Sequence, residues 1–250
     1  MIHVNLYPIL LGLAALLSTL AGGLVATKLS SSRLGTLTAF AAGVLIAVPL
    51  FDLLPEALKL AEQVGMNLSR PLEFTALGFV FLYILERYFS VHRVCEGGVC
   101  RNVRHPKGGL LGALELSAHS FVDGFAIGLG FHVANSVGFV VALAVVSHDF
   151  ADGINTVTVM LKSGNSLKPS MRMLLLDAVA PLLGAATTLF ITLPEGALVF
   201  LLSFFAGGFL YLGAGDLLPE AHEQNPPLIS VASSLTGFLL IFGLTRWLNV

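Results

Sequence analysis

Long runs of apolar residues without any charge recur along this chain. Residues 34–51, 196–215 and 228–245 contain no Asp, Glu, Lys or Arg. A helix of about 20 mostly apolar residues is long enough to cross the hydrocarbon core of a bilayer, so each run is a candidate transmembrane span. Only 11% of the 250 residues are charged, against about a quarter in an average soluble domain. The sequence therefore predicts an integral membrane protein in contact with lipid, and the net charge of −2 gives no reason to expect a nucleic-acid partner.

The apolar runs between polar breaks predict an all-α, polytopic fold with eight transmembrane helices in one domain, residues 1–250. The predicted spans are 6–27, 34–59, 70–91, 109–132, 134–162, 170–193, 196–221 and 227–248. A short loop, residues 92–109, joins the third span to the fourth. Residues 1–6 lack the basic start of a cleavable signal peptide, so the first span is expected to be permanent.

Positively charged residues are concentrated on one side of the predicted membrane. The loops after the first, third and fifth spans, with the start of the sixth, contain Lys28, Arg33, Arg93, Arg101, Arg104, Lys107, Lys162, Lys168 and Arg172. The opposite side contains only Lys59, Arg70 and Arg246. Because cytoplasmic loops carry an excess of Lys and Arg, the sequence predicts that the first set of loops is cytoplasmic and that both termini lie outside.

A six-residue block occurs twice. Asp-Leu-Leu-Pro-Glu-Ala occupies residues 52–57 and again residues 216–221, and Phe, Ala and Gly recur upstream at the same spacing. Under the topology above, the first copy lies near the outer end of span two and the second near the inner end of span seven. This predicts an inverted repeat that relates spans 1–3 to spans 6–8 around spans 4 and 5, as in many secondary transporters. The alternative is an old duplication retained only for packing.

Spans four and five each carry a His-x-x-x-Asp-Gly motif. The motif residues are His119 and Asp123 in span four, and His148 and Asp152 in span five. Positions i and i+4 share one face of a helix, and the very short connection between the spans makes them antiparallel neighbours. Two imidazoles and two carboxylates are thus expected to meet in mid-membrane. Zn²⁺ accepts such a tetrahedral set, and Fe²⁺, Mn²⁺, Co²⁺ or Cd²⁺ would also fit. A lone intramembrane histidine would more often be a packed core residue, but two motif copies favour a metal site.

These motifs resemble those of the ZIP (zinc- and iron-regulated transporter-like) family, in its prokaryotic type. The family has His-Asn/Ser-x-x-Glu-Gly in its fourth span and His/Gln-Glu/Asp-x-x-Glu-Gly in its fifth. The resemblance implies that the four motif residues are the primary metal ligands, and that Ser120 and Asp149 help to form an adjacent second site. Two features depart from the family: aspartates replace both glutamates, and Ala180 precedes Pro181 where an acid is usual, with Asp177 as the nearest acid. The resemblance also implies a bacterial or archaeal inner or plasma membrane.

The predicted function is transport of a divalent cation by alternating access, with the metal as substrate and no organic cofactor. Acidic residues near the outer end of span two, Asp52 and Glu56, are expected to line the entrance. Residues expected to line the exit, near the inner end of span seven, are Asp216, Glu220, His222 and Glu223. Without a Walker motif, ATP is not expected to drive transport directly. The sequence does not decide between a monomer and a homodimer.

A zinc-dependent hydrolase within the membrane is the main alternative function. A catalytic site needs an open metal position and a general base, and Asp149 or Glu115 could serve as that base. Against it, the chain has no His-Glu-x-x-His motif, and acidic residues mark both membrane faces, as a pathway requires.

The loop after span three contains His92, Cys95, Cys100 and His105. Such side chains could hold a metal transiently, although their spacing matches no standard zinc module. An ordinary basic loop is the alternative interpretation, so the sequence leaves the role of the two cysteines open.

Overall fold

The computed structural model describes residues 6–26, 31–90, 94–96, 99–101, 106–191 and 193–248. For some residues in these ranges the structure describes the backbone and not the side chain: 31–34, 86–90, 94–96, 99–101, 106–108, 162 and 248. His92 and His105, named above for the loop after span three, lie outside the described residues.

Helices account for nearly all of the described chain. The helices are α1 (Tyr7–Val25), α2 (Ser31–Val48), α3 (Leu54–Gln63), α4 (Ser69–Ser90), α5 (Pro106–Val133), α6 (Asn135–Lys162), α7 (Leu167–Thr188), α8 (Glu195–Tyr211), α9 (Leu218–Gln224) and α10 (Pro227–Leu248). Short π-helical segments, Pro49–Leu53 and Leu212–Leu217, join α2 to α3 and α8 to α9 into two longer helices. The result is eight long helical units, as the sequence predicts.

Seven of these units, among the described residues, are long and apolar enough to cross a membrane. The remaining one, α4, has 22 residues and holds the place of the predicted third span. The all-α, polytopic fold is therefore confirmed. The loop after span three adds a detail that the hydropathy pattern did not predict, because it contains two short antiparallel strands, β1 (Val94–Glu96) and β2 (Val99–Arg101).

The sixth span is shorter at its end than predicted. The expected helix ran to residue 193, but α7 stops at Thr188. The Thr188 carbonyl accepts a hydrogen bond from Nε2 of His132, at the end of α5, at 2.9 Å and one from the Ile191 N–H at 3.4 Å, so it is satisfied without a further α-helical turn. Pro194 follows closely and disfavours helix at the residue before it. Backbone bonds of i→i−3 spacing over residues 186–191 mark the end of the helix.

Both copies of the sequence repeat contain a π-helical turn at the same place. The Leu54 N–H bonds to the Pro49 carbonyl, and the Leu218 N–H bonds to the Gly213 carbonyl, which are bonds of i→i−5 spacing. The π segments carry Asp52 and Asp216, and each precedes the Pro of its repeat. The two halves thus share an uncommon local backbone form as well as a sequence.

The helices separate into two bundles. In the ligand bundle, α1, α5, α6 and α7 pack against one another. The repeat bundle consists of the α2–α3 unit, α4, the α8–α9 unit and α10, which also pack against one another. Fewer residues join the two bundles, mainly where α6 meets α2 and α5 meets α8. The metal motifs lie on the ligand bundle and the repeated blocks on the other.

Close helix pairs within each bundle meet at reciprocal glycines. The described part of the chain has four such pairs: Gly22 with Gly153, Gly124 with Gly184, Gly43 with Gly237, and Gly78 with Gly207. A Cβ added at one glycine of a pair would overlap the backbone carbonyl oxygen of the residue three positions before the other glycine. For Gly124, which pairs with Gly184, that residue is Pro181. Small residues allow membrane helices to approach this closely. The pairs join α1 to α6, α5 to α7, α2 to α10 and α4 to α8, and none joins the two bundles.

Candidate metal centre

The two metal motifs occupy equivalent places on two equal helices. Helices α5 and α6 each have 28 residues, and His119 and His148 each lie 13 residues after the first residue of their helix. The only residue between the helices is Ala134, whose extended backbone reverses the chain. The motifs therefore face each other near mid-length, and Gly124 and Gly153, one residue beyond each Asp, hold the same helices against α7 and α1.

Four side chains converge in one cluster. One ligand atom from each of His119, Asp123, His148 and Asp152 lies within 4.8 Å of all the others. Oδ2 of Asp123 is at the centre, 3.2 Å from Nε2 of His119 and 3.3 Å from Nε2 of His148. Oδ2 of Asp152 lies 3.6 Å from the same His148 nitrogen. Two nitrogen and two oxygen atoms are a donor set that tetrahedral zinc accepts, and the side chains would draw closer to place each atom about 2.0–2.2 Å from the ion.

The orientation of His148 is fixed by its own helix. Nδ1 lies 3.0 Å from the carbonyl oxygen of Ala144, which can only accept, so Nδ1 carries a proton and donates it there. Nε2 is left to face the carboxylates. Metal-binding histidines are commonly held in this way, with one ring nitrogen on a carbonyl and the other on the ion. The cluster thus presents Nε2 as its metal-directed atom.

Several polar atoms in the cluster and beside it are buried without a hydrogen bond. Among the described residues these include Nε2 of His119, Oδ2 of Asp152 and Oδ1 of Asp149. A buried polar atom that lacks a partner costs roughly 1–3 kcal/mol. A divalent cation bound between these atoms would remove that cost, which fits the chemistry of the donor set.

The cluster is almost closed to solvent. His148 is fully buried, Asp123 and Asp152 are nearly so, and His119 is 18% exposed. The His148 ring also lies 6.1 Å from the ring of Phe209, in α8 of the repeat bundle. The cluster therefore lies at the junction of the two bundles and is exposed mainly beside His119.

The residues predicted for a second site lie beside the cluster but are not joined in one ligand group. Asp177 accepts hydrogen bonds from Ser120 and Thr156, both at 2.7 Å. Asp149 lies 3.7 Å from Nε2 of His148 and accepts a 3.4 Å bond from Thr19. Sequence reasoning did not find Thr19, because it belongs to no motif and comes from α1. Both carboxylates are fully buried.

The predicted pathway residues differ in exposure between the two repeat copies. In the first copy Asp52 is fully buried, both of its carboxylate oxygens lack a hydrogen bond, and Glu56 pairs with Lys59 at 3.2 Å. In the second copy Asp216 and Glu220 are half-buried, and two further residues, His222 and Glu223, are exposed. Glu220 accepts a 3.1 Å bond from Gln224. The copy predicted to lie inside is thus more open than the copy predicted to lie outside.

Comparison with known proteins finds similarity to one family of zinc transporters and to several of its relatives. The ZIP Zinc transporter family matches residues 102–245, more than half of the chain. Human "Zinc transporter SLC39A7" is 34% identical over 129 residues, which cover 47% of this chain and 27% of that protein. Mouse "Zinc transporter ZIP13" is 24% identical over 251 residues, covering 86% of this chain and 70% of that protein. A nematode (Caenorhabditis elegans) protein, "Zinc transporter zipt-7.2", is 30% identical over 132 residues, covering 50% of this chain and 29% of that protein.

The chain spans about a quarter of the length of the SLC39A7 relatives that it matches. These relatives are animal proteins, so they support the family and not the prokaryotic type expected from the motifs. The matched region contains both metal motifs, α5 to α8 and most of α10. From its spans, its motif pair and this match, the chain belongs to the ZIP zinc transporter family.

Proposed function

We propose that this chain transports divalent cations, Zn²⁺ foremost, across a membrane by alternating access. The observation that carries the proposal is the buried cluster of His119, Asp123, His148 and Asp152, with ligand atoms mutually within 4.8 Å. Ionisable residues in the middle of a membrane are costly and mark ion pathways. Fe²⁺, Mn²⁺ and Cd²⁺ are further candidate substrates, because such donor sets separate these ions poorly by affinity alone.

Zinc flux into proteoliposomes tests this function. Native chain is expected to carry zinc to a dye enclosed inside, whereas His148→Ala with Asp152→Ala is expected to abolish uptake. Glu73→Ala is the matched control, because Glu73 pairs with Arg70 on an exposed surface, where an ion pair contributes little. Native chain that binds zinc but never moves it would contradict transport and would turn attention to the hydrolase alternative.

The differing exposure of the repeat copies supports an inward-facing conformation. Under the positive-inside topology, Asp52 lies toward the outside and is closed, while Asp216 lies toward the cytoplasm and is partly open. Within the cluster the exposed ligand is His119, on the cytoplasmic side of Asp123 in α5. An inverted repeat allows the two copies to exchange these environments in the opposite conformation.

Thiol accessibility tests this interpretation. Serine at both Cys95 and Cys100 removes every cysteine of the chain, after which Asp52→Cys or Asp216→Cys introduces a single probe. In metal-free liposomes the cysteine at 216 is expected to react from the cytoplasmic side. The cysteine at 52 should react at least about tenfold more slowly, because it is reachable only from a minor conformation. Equal rates at both positions, or reaction of both from one side, would contradict the inward-facing interpretation.

The pathway and second-site residues complete the proposal. Asp52 and Glu56 would receive the cation outside. The four residues at the end of the second copy would release it: Asp216, Glu220, His222 and Glu223. Ser120, Asp149 and Asp177 would hold a second ion beside the first. For that, the Asp177 carboxylate would have to exchange its two hydroxyl donors for the ion, so a single well-formed site is the simpler arrangement.

Proton competition is a further part of the proposal. Nε2 of His148 faces three carboxylates and must be free of a proton to bind a metal. Lowering pH is therefore expected to weaken zinc binding, and an imposed pH gradient is expected to change zinc flux. Flux that is indifferent to the gradient would remove proton coupling from the account.

External termini and a prokaryotic inner or plasma membrane stay predictions, and the choice between a monomer and a homodimer stays open.

A further inference from the structure

Helix α8 of the repeat bundle places two aromatic rings against the ligand bundle. The Phe205 ring centre lies 6.4 Å from that of Phe125 in α5, and the Phe209 ring centre lies 6.1 Å from that of His148 in α6. The two phenylalanines of α8 are four residues apart, so they share one face of that helix. Among the described side chains, the other ring contacts stay within one bundle.

These two contacts lie on the side of the metal centre that is away from its exposed ligand. Phe125 comes two residues after Asp123, toward the outer end of α5 under the proposed topology. Phe205 is one turn nearer the outside than Phe209, because α8 runs inward. The exposed ligand, His119, lies on the cytoplasmic side of Asp123. The rings therefore join the bundles where the metal centre is closed.

The ring contact at the metal centre is buried and well oriented. Phe209 is only 3% exposed, and His148 is fully buried. Their rings meet edge to face, at an interplanar angle of 68°. Aromatic pairs in this geometry stabilise a contact beyond the apolar area that they bury. A residue of the repeat bundle thus packs directly on a predicted metal ligand of the ligand bundle.

The first repeat copy has no aromatic residue at the matching positions. Residues 204–209 of α8 align with residues 40–45 of α2 at the spacing of the repeat, so Phe205 matches Ala41 and Phe209 matches Leu45. An inverted repeat gives α2, in the opposite conformation, the role that α8 has here. Ala41 and Leu45 cannot supply a ring contact in that role. The two aromatic contacts are therefore expected in only one of the two conformations.

We infer that Phe205 and Phe209 form an aromatic latch, which holds the bundles in the inward-facing arrangement and keeps the metal centre closed toward the outside. Phe209 acts as a positioning residue for His148, and the latch opens when the ligand bundle moves relative to α8. The inference rests on the inward-facing conformation of the proposed function. It makes that conformation the resting state of the metal-free chain, because its counterpart lacks both ring contacts.

Thiol reactivity at position 52 measures how often the outer side opens. The sample is the cysteine-free chain with Asp52→Cys, in metal-free liposomes, with a membrane-impermeant thiol reagent on the outer side. Removing both rings, by Phe205→Ala with Phe209→Ala, is expected to raise the reaction rate at least about threefold, because the inward-facing conformation loses two aromatic contacts. An unchanged rate would overturn the latch. So would a chain with both rings intact that reacts as fast at position 52 as at position 216.

Phe200→Ala is the matched control for the ring removal. Phe200 is on the same helix, but its ring lies 5.0 Å from that of Phe74 in α4, within the repeat bundle. Loss of packing alone would affect this variant as well, whereas loss of the latch would not. Its rate at position 52 is expected to equal that of the chain with all its rings.

A reversible cross-link tests the same contact without removing the latch by truncation. Phe125→Cys with Phe205→Cys, joined by a short reducible cross-linker in the cysteine-free chain, is expected to stop zinc uptake until the link is reduced. Linking Phe131→Cys with Phe139→Cys, whose native rings lie 5.3 Å apart within the ligand bundle, should leave uptake intact. Uptake through the linked Phe125–Phe205 pair would overturn the latch. Failure of the proposed function looks different, because native chain then carries no zinc while the thiol rates still decide the latch.

Discussion

Replacing Asp123 by alanine is expected to abolish tight zinc binding at the metal centre. Oδ2 of Asp123 is the atom that reaches both histidines, at 3.2 Å and 3.3 Å, so its loss removes one ligand and the link between the other two. Mutating a residue that only supports a metal ligand typically lowers metal affinity about 10–100-fold. Removing a central ligand should therefore lower zinc affinity about 100-fold or more. Isothermal calorimetry on the purified chain, in the Cys95→Ser and Cys100→Ser background, measures this.

The matched control for that experiment is Asp123→Glu. It keeps a carboxylate at this position, one methylene longer, and it is expected to bind zinc where alanine does not. Both variants should elute from size-exclusion chromatography like the native chain. An alanine variant that binds zinc with native affinity would show that the cluster does not hold the ion as described.

Replacing Gly124 by alanine is expected to destabilise the fold markedly. The added Cβ would overlap the backbone of α7 at Pro181, where no side chain can move aside. Forcing extra volume into a packed contact costs about 1–3 kcal/mol, which for a chain of this size corresponds to a fall in Tm of roughly 2–12 °C. Thermal unfolding in detergent, followed by tryptophan fluorescence or light scattering, measures the change.

Gly112→Ala on the same helix is the control. A Cβ there would meet only the Val159 side chain at 3.4 Å, an ordinary contact. Ala is favoured over Gly within a helix by about 1 kcal/mol, so the Tm of this control should stay at or above the native value. An equal fall in Tm at both positions would contradict the α5–α7 contact as the cause of the effect.

The convergence of His119, Asp123, His148 and Asp152 was largely predictable because it follows short-range rules. The i, i+4 spacing places each His beside its Asp, and the single residue between α5 and α6 forces their antiparallel contact. The repeat was also visible, because its two copies share six residues. These features needed no knowledge of which distant helices touch.

The pairing of distant helices was not predictable. Each reciprocal contact places a glycine against a backbone carbonyl, as Gly22 lies against Phe150, and a carbonyl has no signature in the sequence. Thr19 was missed for the same reason, since it reaches Asp149 only because α1 packs on α6. The π segments depend on a single shifted hydrogen bond in each repeat, a difference too small for hydropathy to detect.

The end of α7 is a further feature that the sequence did not predict. Hydropathy continued to residue 193, but the helix stops where His132 from α5 reaches the Thr188 carbonyl. The apolar pattern does not carry the position of such a contact, so the sequence placed this boundary five residues too late.

X-ray absorption at the zinc edge is the most direct test of the central claim that two histidines and two aspartates hold one cation. The sample is the Cys95→Ser and Cys100→Ser chain with one equivalent of zinc. The account predicts four nitrogen or oxygen ligands at about 2.0–2.2 Å, with scattering from two imidazoles that falls to one in His148→Ala. A spectrum of fully hydrated zinc, or one that His148→Ala leaves unchanged, would contradict it.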